Sequence, residues 1–181
     1  MKLKRLFTLT LLATVLSAFS LEASLTEGKI PQALLDRHSA VCPEFASERG
    51  KFMTRQVETL PNSEYSPYPN TLYVLGCELY AYNSLERAYL INFYGEITNV
   101  AIAEVSADRS ISASIDLMGA GYDPTSLTLG TFQKGRGIGD CGSSATYQYD
   151  PRSEKFILLE ARIKEACDGD IEAQWPVVYS K

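Results

Sequence analysis

Histidine is nearly absent from this chain: His38 stands alone among 181 residues. Imidazole is the usual general base near neutral pH and a common zinc ligand. A single copy excludes a multi-histidine metal centre. His38 falls at the end of a predicted helix, beside the first cysteine, and reads as a surface or capping residue rather than a catalytic base. No Gly-x-Ser-x-Gly elbow accompanies it, so a serine hydrolase of that design has no anchor. No Cys-x-x-Cys pair occurs, which removes the usual spacing of a dithiol catalyst or a zinc ribbon. Positive charge is in deficit, with 17 Lys and Arg against 22 Asp and Glu and a formal net charge of −5. That balance argues against a nucleic-acid binder and against a protein held to anionic membranes by charge. Carboxylates are plentiful, but no pair is singled out for glycosidase-like work. The expectation is therefore no catalytic residue, no metal and no cofactor.

Long apolar runs are confined to the start. Lys2, Lys4 and Arg5 precede an apolar stretch from Leu6 to Phe19, and small residues follow at Ala18, Ser20 and Ala23. This is the pattern of a secretory leader, too short to serve as the ~20-residue span of an anchor. The reading assigns residues 1–23 to a leader, cut after Ser20 or Ala23, and 24–181 to a single domain. Loss of Lys2, Lys4, Arg5 and Glu22 takes the net charge from −5 to −7. No later stretch is long and apolar enough to span a membrane.

Four cysteines, Cys42, Cys77, Cys141 and Cys167, lie outside that leader. An even set in a small exported chain reads as two disulfides and a periplasmic or secreted location. Four cysteines allow three connectivities. Cys42–Cys77 with Cys141–Cys167 closes the two shortest non-overlapping loops, each worth roughly 3–4 kcal/mol in the loop-entropy picture.

Periodicity predicts a short helix over Ile30 to His38, with Pro31 in its first turn, and a further turn over Pro43 to Arg49. Leu72 to Tyr82 is dense in β-formers, Asn83 to Arg87 reads as a turn, and Ala88 to Tyr94 as the returning strand. Val100 to Val105 reads as a strand, with a helix as the alternative. Ser110 to Met118 alternates, with Ile111, Ala113, Ile115 and Leu117 on one face of a predicted half-buried strand. Tyr122-Asp123-Pro124-Thr125-Ser126 is echoed by Tyr149-Asp150-Pro151-Arg152-Ser153. Asp followed by Pro is a turn signal with a mechanism, because Asp accepts a local backbone bond and Pro presets φ. Each copy sits between β-rich segments, so two hairpins are predicted. The fold class is mainly β with an α+β tendency: an antiparallel meander or sandwich, a short N-terminal helix and two disulfides.

The densest local signal is Lys134-Gly135-Arg136-Gly137-Ile138-Gly139-Asp140-Cys141-Gly142. Its glycine spacing matches no nucleotide fingerprint, so it reads as irregular backbone that lets Cys141 reach its partner. This stretch, with Tyr122-Asp123-Pro124 before it and Phe156-Ile157-Leu158, Cys167-Asp168-Gly169 and Trp175 after it, resembles the bacterial Domain of Unknown Function 1176 family. Cys77 with Ala81-Tyr82-Asn83, and His38 to Cys42, are similar to that family's first half. Gln148-Tyr149 departs from the pattern, which implies a tryptophan-bearing strand there. The resemblance implies an exported bacterial protein with paired cysteines and supplies no activity.

A binding role is easier to anchor than a reaction. Eleven tyrosines offer amphipathic contact area, and Tyr65, Tyr68 and Tyr73 flank a Pro- and Asn-rich loop from Pro61 to Asn70. A second candidate surface is the basic edge of Lys134 and Arg136 with Asp140, continued by Ser143, Ser144 and Tyr147. Gly142 to Tyr147 loosely resembles the Ser-Gly-x-x-Tyr loop of bacterial periplasmic lysozyme inhibitors, whose target is cationic. Three readings follow: a non-enzymatic envelope binding or structural module, an inhibitor of a cationic hydrolase such as lysozyme, and a carboxylate-based envelope hydrolase. The partner expected is an envelope or cationic protein.

Overall fold

The computed structural model describes residues 30–181, so the expected leader lies outside the described residues. Pro31, with φ −60°, sits immediately before the helix α1, Gln32–Val41. Its fixed φ suits a helix start, and its missing N–H is one the first turn leaves unpaired anyway. The helix runs three residues beyond the expected end. Two short 3-10 turns follow, Pro43–Ala46 and Arg49–Phe52.

Twelve strands complete the described chain: β1 Arg55–Thr59, β2 Thr71–Leu79, β3 Ser84–Ile91, β4 Ile97–Asn99, β5 Ile102–Val105, β6 Ile111–Ser114, β7 Leu117–Met118, β8 Gly121–Asp123, β9 Thr128–Lys134, β10 Gly142–Asp150, β11 Lys155–Lys164 and β12 Val177–Ser180. They form one sheet in the order β1-β2-β3-β4 with β7 also on β3, a second in the order β12-β11-β10-β9-β8, and a separate β5-β6 hairpin. All pairings are antiparallel. The mainly β expectation is met.

The main core lies between the sheets. Leu72, Val74 and Ala88 from the first meet Leu129, Tyr147, Tyr149, Phe156 and Leu158 from the second. The opposite face of the first sheet carries Tyr73, Leu75 and Tyr89, covered by Leu34, Phe45 and Met53. Both faces of β2 are thus buried, which is why its sequence runs apolar without alternation. Cys42 bonds Cys77 and Cys141 bonds Cys167, with Cα separations of 4.7 and 4.9 Å, in the two-loop pairing expected. The first ties the end of α1 to β2.

The repeated Asp-Pro segments make the same turn twice. Asp123 accepts from the Thr125 N–H and the Ser126 hydroxyl; Asp150 accepts from the Arg152 N–H and the Ser153 hydroxyl. Each four-residue loop then closes on a left-handed residue, Leu127 at φ 57° and Glu154 at φ 53°. The hairpins β8-β9 and β10-β11 result.

Three expectations need correction. Asn83 to Arg87 is not a turn, because β3 already begins at Ser84. The turn lies earlier, closed by the Tyr80 N–H on the Asn83 carbonyl, and Glu86 is drawn inward, where it accepts from the Ala120 N–H at 2.8 Å. Ser110 to Met118 is not one half-buried strand. It breaks into β6 and β7 at Asp116, which pairs with Arg87 at 2.8 Å. Ile111 is 58% exposed, since β6 pairs only with β5, outside both main sheets. The strand expected over Val100 to Val105 forms as β5, Ile102–Val105, and needs no correction. His38 is not a surface residue: it is fully buried. One helical turn beyond Leu34, it faces the sheet and meets Tyr89 and Gly76.

Candidate functional site

The glycine-rich segment is the β9-β10 connection, and its polar groups are bound into the scaffold. Asn83 clamps Lys134 from the β2-β3 turn, donating to its carbonyl at 3.0 Å and accepting from its N–H at 2.8 Å. Asp140 is fully buried and accepts two bonds from the Arg136 guanidinium and one from the Gly169 N–H at 2.7 Å. Arg136, and behind it Gly169, hold the Asp140 carboxyl far below the usual carboxylate range. Arg136 also donates to the Cys167 carbonyl at 3.0 Å. Gly142 sits at φ 139°, where a Cβ would lie 1.9 Å from the Gln133 carbonyl oxygen, so the chain crosses itself at a point only glycine can occupy. Asp140, Cys141 and Cys167 offer donor atoms within 4.8 Å of one another. The two sulfurs are bonded together and the carboxylate is taken by Arg136 and Gly169, which makes the cluster structural.

Ser143, Ser144 and Tyr147 lie in β10, paired on both sides by β9 and β11, so this stretch forms no protruding loop. Tyr147 is buried, its hydroxyl donates to the Ala103 carbonyl at 2.9 Å, and burial pushes its pKa up to about 12. The structure brings Lys134, Arg136 and Asp140 together. Ser143 follows Gly142, the register partner of Lys134, while Ser144 and Tyr147 lie farther along the sheet. A cavity of about 40 Å³ adjoins these three with Glu104 and Asp116 in its wall. That volume holds a water or so; ligand pockets run to several hundred Å³.

A cleft of ligand size opens elsewhere. It measures about 440 Å³, with Asn70, Asn92, Thr98 and Asn99 in its walls and Leu90 and Phe156 against its apolar side. Strands β3 and β10 both start beside the glycine-rich connection and end at this cleft, so the two lie at opposite ends of the sandwich. Another groove, about 530 Å³, runs beside β12. Its one ammonium, Lys164, is committed to Asp168 and the Asp170 carbonyl, which leaves little convergent polar chemistry there.

Close in sequence to the cleft residues Asn70 and Asn92, aromatic rings stand in water. Tyr68 and Phe93 stack with centroids 3.8 Å apart and planes 13° from parallel, and Tyr94 meets Phe93 edge-on at 5.6 Å. Their exposures are 45%, 60% and 81%. The β3-β4 turn holds the second and third by an Asx arrangement: Asn92 accepts from the Tyr94 and Glu96 N–H groups and donates to the Glu96 carboxylate at 2.6 Å. The Pro61 to Asn70 loop is braced from within, Asn62 donating to the Pro67 carbonyl and Ser66 exchanging bonds with the Tyr68 backbone. Tyr65 and Tyr68 are exposed as expected, but Tyr73 is buried in β2 against the helical cover.

Sequence reasoning missed Phe93, Tyr94, Thr98 and Asn99. It carried the returning strand through Tyr94, although Asn92-Phe93-Tyr94-Gly95 is itself a turn signal, with Gly95 at φ 80°.

These features define a disulfide-clasped, two-sheet antiparallel β protein with a helical cover over one sheet and a cleft at one end. The chain belongs to the family described as "Protein of unknown function (DUF1176)", which matches residues 38–181. It is 28% identical over 111 residues to "Uncharacterized protein YpfG" of Escherichia coli (strain K12), a match covering 60% of this chain and 31% of that protein. The chain thus spans about a third of the length of this curated relative. No solved structure matches it. Among the described residues, no helix is long and apolar enough to cross a membrane.

Proposed function

We propose that this protein is an exported, non-enzymatic binding module of the bacterial envelope, and that its ligand occupies the 440 Å³ cleft between Asn70, Asn92 and Phe156. The observation that carries the reading is the stacked Tyr68–Phe93 pair left in solvent, close in sequence to the cleft residues Asn70 and Asn92. Large aromatic rings in contact with one another yet outside both cores mark a surface shaped for a partner. Two disulfides support residence in an oxidising compartment.

The test has two parts. The full-length chain, expressed in a bacterium and fractionated, should appear in the periplasm with all four cysteines oxidised; retention in the cytoplasm with free thiols sinks the export reading. Low-molecular-weight envelope extract should raise the melting temperature of the wild type but not of Ala101→Trp, a substitution that fills the cleft. A ligand at about 100 times its Kd adds roughly 2.7 kcal/mol. Equal shifts in both proteins, or none in either, count against the cleft.

A further inference from the structure

We infer that the free edge of β6 is a self-pairing edge, through which two copies of this chain join their β5-β6 hairpins into one four-stranded antiparallel sheet. The inference is independent of the cleft, which is lined by other elements. Register decides which groups the edge offers. In an antiparallel pair, residues that bond across to the partner strand alternate with residues whose N–H and C=O point outward. The Ser106 N–H donates to the Ser110 carbonyl at 3.0 Å, which fixes that alternation. Ser112 and Ser114 therefore bond back to β5, whereas Ile111 and Ala113 turn their N–H and C=O outward. The far side of the hairpin agrees. Ala103, the register partner of Ala113, turns its carbonyl away from β6, where it accepts from the Tyr147 hydroxyl at 2.9 Å. Among the described residues, β6 pairs with no strand but β5.

Two other edge strands are closed by side chains. Arg37 donates to the Ile97 carbonyl of β4 at 2.7 Å. The Gln56 amide donates to the Tyr122 carbonyl of β8 and accepts from the Tyr122 N–H at 2.9 Å. Sheets guard their edges in this way, or with charge, proline or a bulge. β6, Ile-Ser-Ala-Ser, has no charge and no proline, and its register with β5 runs without a shift. Its side chains are as open as its backbone. Ala103 and Val105 pack against the main core, and their register partners Ala113 and Ile111 continue the same face. Yet Ile111 is 58% exposed and Ala113 is exposed with it, so the apolar strip begun on β5 overhangs the core.

A second copy answers both the open backbone and the overhanging strip. With a two-fold axis at Ser112, Ile111 lies opposite the second copy's Ala113, and Ala113 opposite the second copy's Ile111. Each pair exchanges both backbone bonds, so every outward group of Ile111 and Ala113 is used. The same pairing sets Ile111 beside the other copy's Ala113 on one face, and the apolar strip becomes continuous through both hairpins. The two Glu104 carboxylates fall three strand spacings apart, about 14 Å, beyond the screening length of about 8 Å at physiological salt. The contact is isologous and consumes the edge of each copy, so assembly stops at two. A four-residue edge buries far less than the roughly 1,600 Å² of a standard stable interface, so the dimer forms toward millimolar concentration and dissociates on dilution.

The experiment measures amide hydrogen exchange on the ¹⁵N-labelled, oxidised chain at micromolar and at millimolar concentration, with sedimentation velocity alongside. Dimers should appear at the higher concentration only. The Ile111 and Ala113 amides, open in the dilute chain, should then exchange severalfold more slowly, while the Ser112 amide, bonded to β5 in both states, changes less. Ile111→Lys charges the edge, and Ala113→Pro removes an outward N–H without touching a bond to β5. Each should weaken dimerisation about tenfold or more. The melting temperature of Ile111→Lys at micromolar concentration should stay near the wild type, because the side chain is exposed, so this variant carries the test even where Ala113→Pro unfolds. A monomer at millimolar concentration, a dimer whose protection maps elsewhere, a dimer that survives Ile111→Lys, or growth beyond two copies overturns the proposal. Protection of Ile111 and Ala113 that appears only when envelope proteins are added assigns the edge to another chain and overturns it equally. None of these outcomes bears on the cleft.

Discussion

Replacing His38 tests a buried polar chain that links the helical cover to the first sheet. The ring is fully buried, Nε2 2.8 Å from the Gly76 carbonyl oxygen and Nδ1 2.8 Å from the Tyr89 hydroxyl. A carbonyl only accepts, so Nε2 carries the proton and neutral His38 accepts from Tyr89. Phe45 closes the site edge-on at 4.6 Å. His38→Leu keeps the bulk but leaves the Gly76 carbonyl and the Tyr89 hydroxyl without this partner. Each buried group so stranded costs about 1–3 kcal/mol, giving a loss of roughly 2–6 kcal/mol from a total of order 5–15. His38→Gln can still donate to one and accept from the other, and should lose about half as much. The pH dependence is the sharper readout. Burial lowers the His38 pKa below its ordinary 6.5, the Arg87 and Arg55 charges push the same way, and the bond to Gly76 opposes them. Between the depressed folded value and 6.5 the unfolded chain binds more protons, so stability rises with pH across that window and levels off above it. Glu86 acts in the opposite sense. Burial raises its pKa above 4.5, so stability falls as pH rises from there to its folded value. Subtracting His38→Gln from wild type cancels the Glu86 contribution. Urea unfolding with disulfides intact, from about pH 5 to pH 8, should show the difference growing in favour of the wild type as pH rises toward 6.5. A pH-independent difference, or one that favours the wild type more as pH falls, refutes the buried neutral imidazole. A His38→Leu cost below about 1 kcal/mol refutes the hydrogen-bond accounting.

The paired turns and the paired disulfides each allow an internal comparison. Glu154→Gly should raise unfolding stability by about 0.5–1 kcal/mol, because an exposed residue is relieved of left-handed strain. Leu127→Gly, at nearly the same φ, should lower it, because the Leu127 side chain packs on the main core and its burial is worth up to about 1.5–3 kcal/mol. Equal signs in the two variants would mean that φ alone governs these positions. In a dithiothreitol titration followed by thiol alkylation and mass spectrometry, Cys141–Cys167 should open before Cys42–Cys77. Cys167 is exposed whereas Cys42 and Cys77 are buried, and access governs thiol–disulfide exchange. The opposite order would show that sulfur exposure does not set reducibility here.

What the sequence made legible was governed by neighbours along the chain. Both Asp-Pro hairpins were readable because the side chain that makes each turn sits within three residues of the groups it bonds. The disulfide pairing was readable because loop closure favours short loops, and β2 because a strand buried on both faces is apolar throughout. The failures came from partners far away. Nothing near Glu86 announces that Ala120 will draw it inward and extend β3 over a predicted turn. The alternation in Ile111 to Ser114 is genuine, but alternation shows only that two faces differ, not that anything covers one of them. A lone histidine beside polar neighbours gave no sign that Tyr89, 51 residues away, would bury it.

The candidate site was less legible than the fold, for the same reason carried further. The segment that looked most functional, Lys134 to Gly142, is rich in glycine and charge because a backbone crossing needs glycine at 142 and a buried carboxylate needs Arg136. Its composition reports constraint, and the constraint is structural. The cleft inverts this relation. Its walls come from three separate stretches, at residue 70, over 90–101 and over 153–156, each of which reads locally as a turn or strand end. Only antiparallel pairing assembles them, by bringing the ends of β3 and β10 to one end of the sandwich. Both disulfides and the Asn83 clamp act at the other end. The cleft end is held by hydrogen-bonded turns and the Arg152–Glu64 ion pair and carries neither disulfide, so its exposed rings can be changed without touching the covalent clasps. Tyr68 and Phe93 belong to neither core cluster, so substitution there should leave the melting temperature near the wild type and so separate binding from stability.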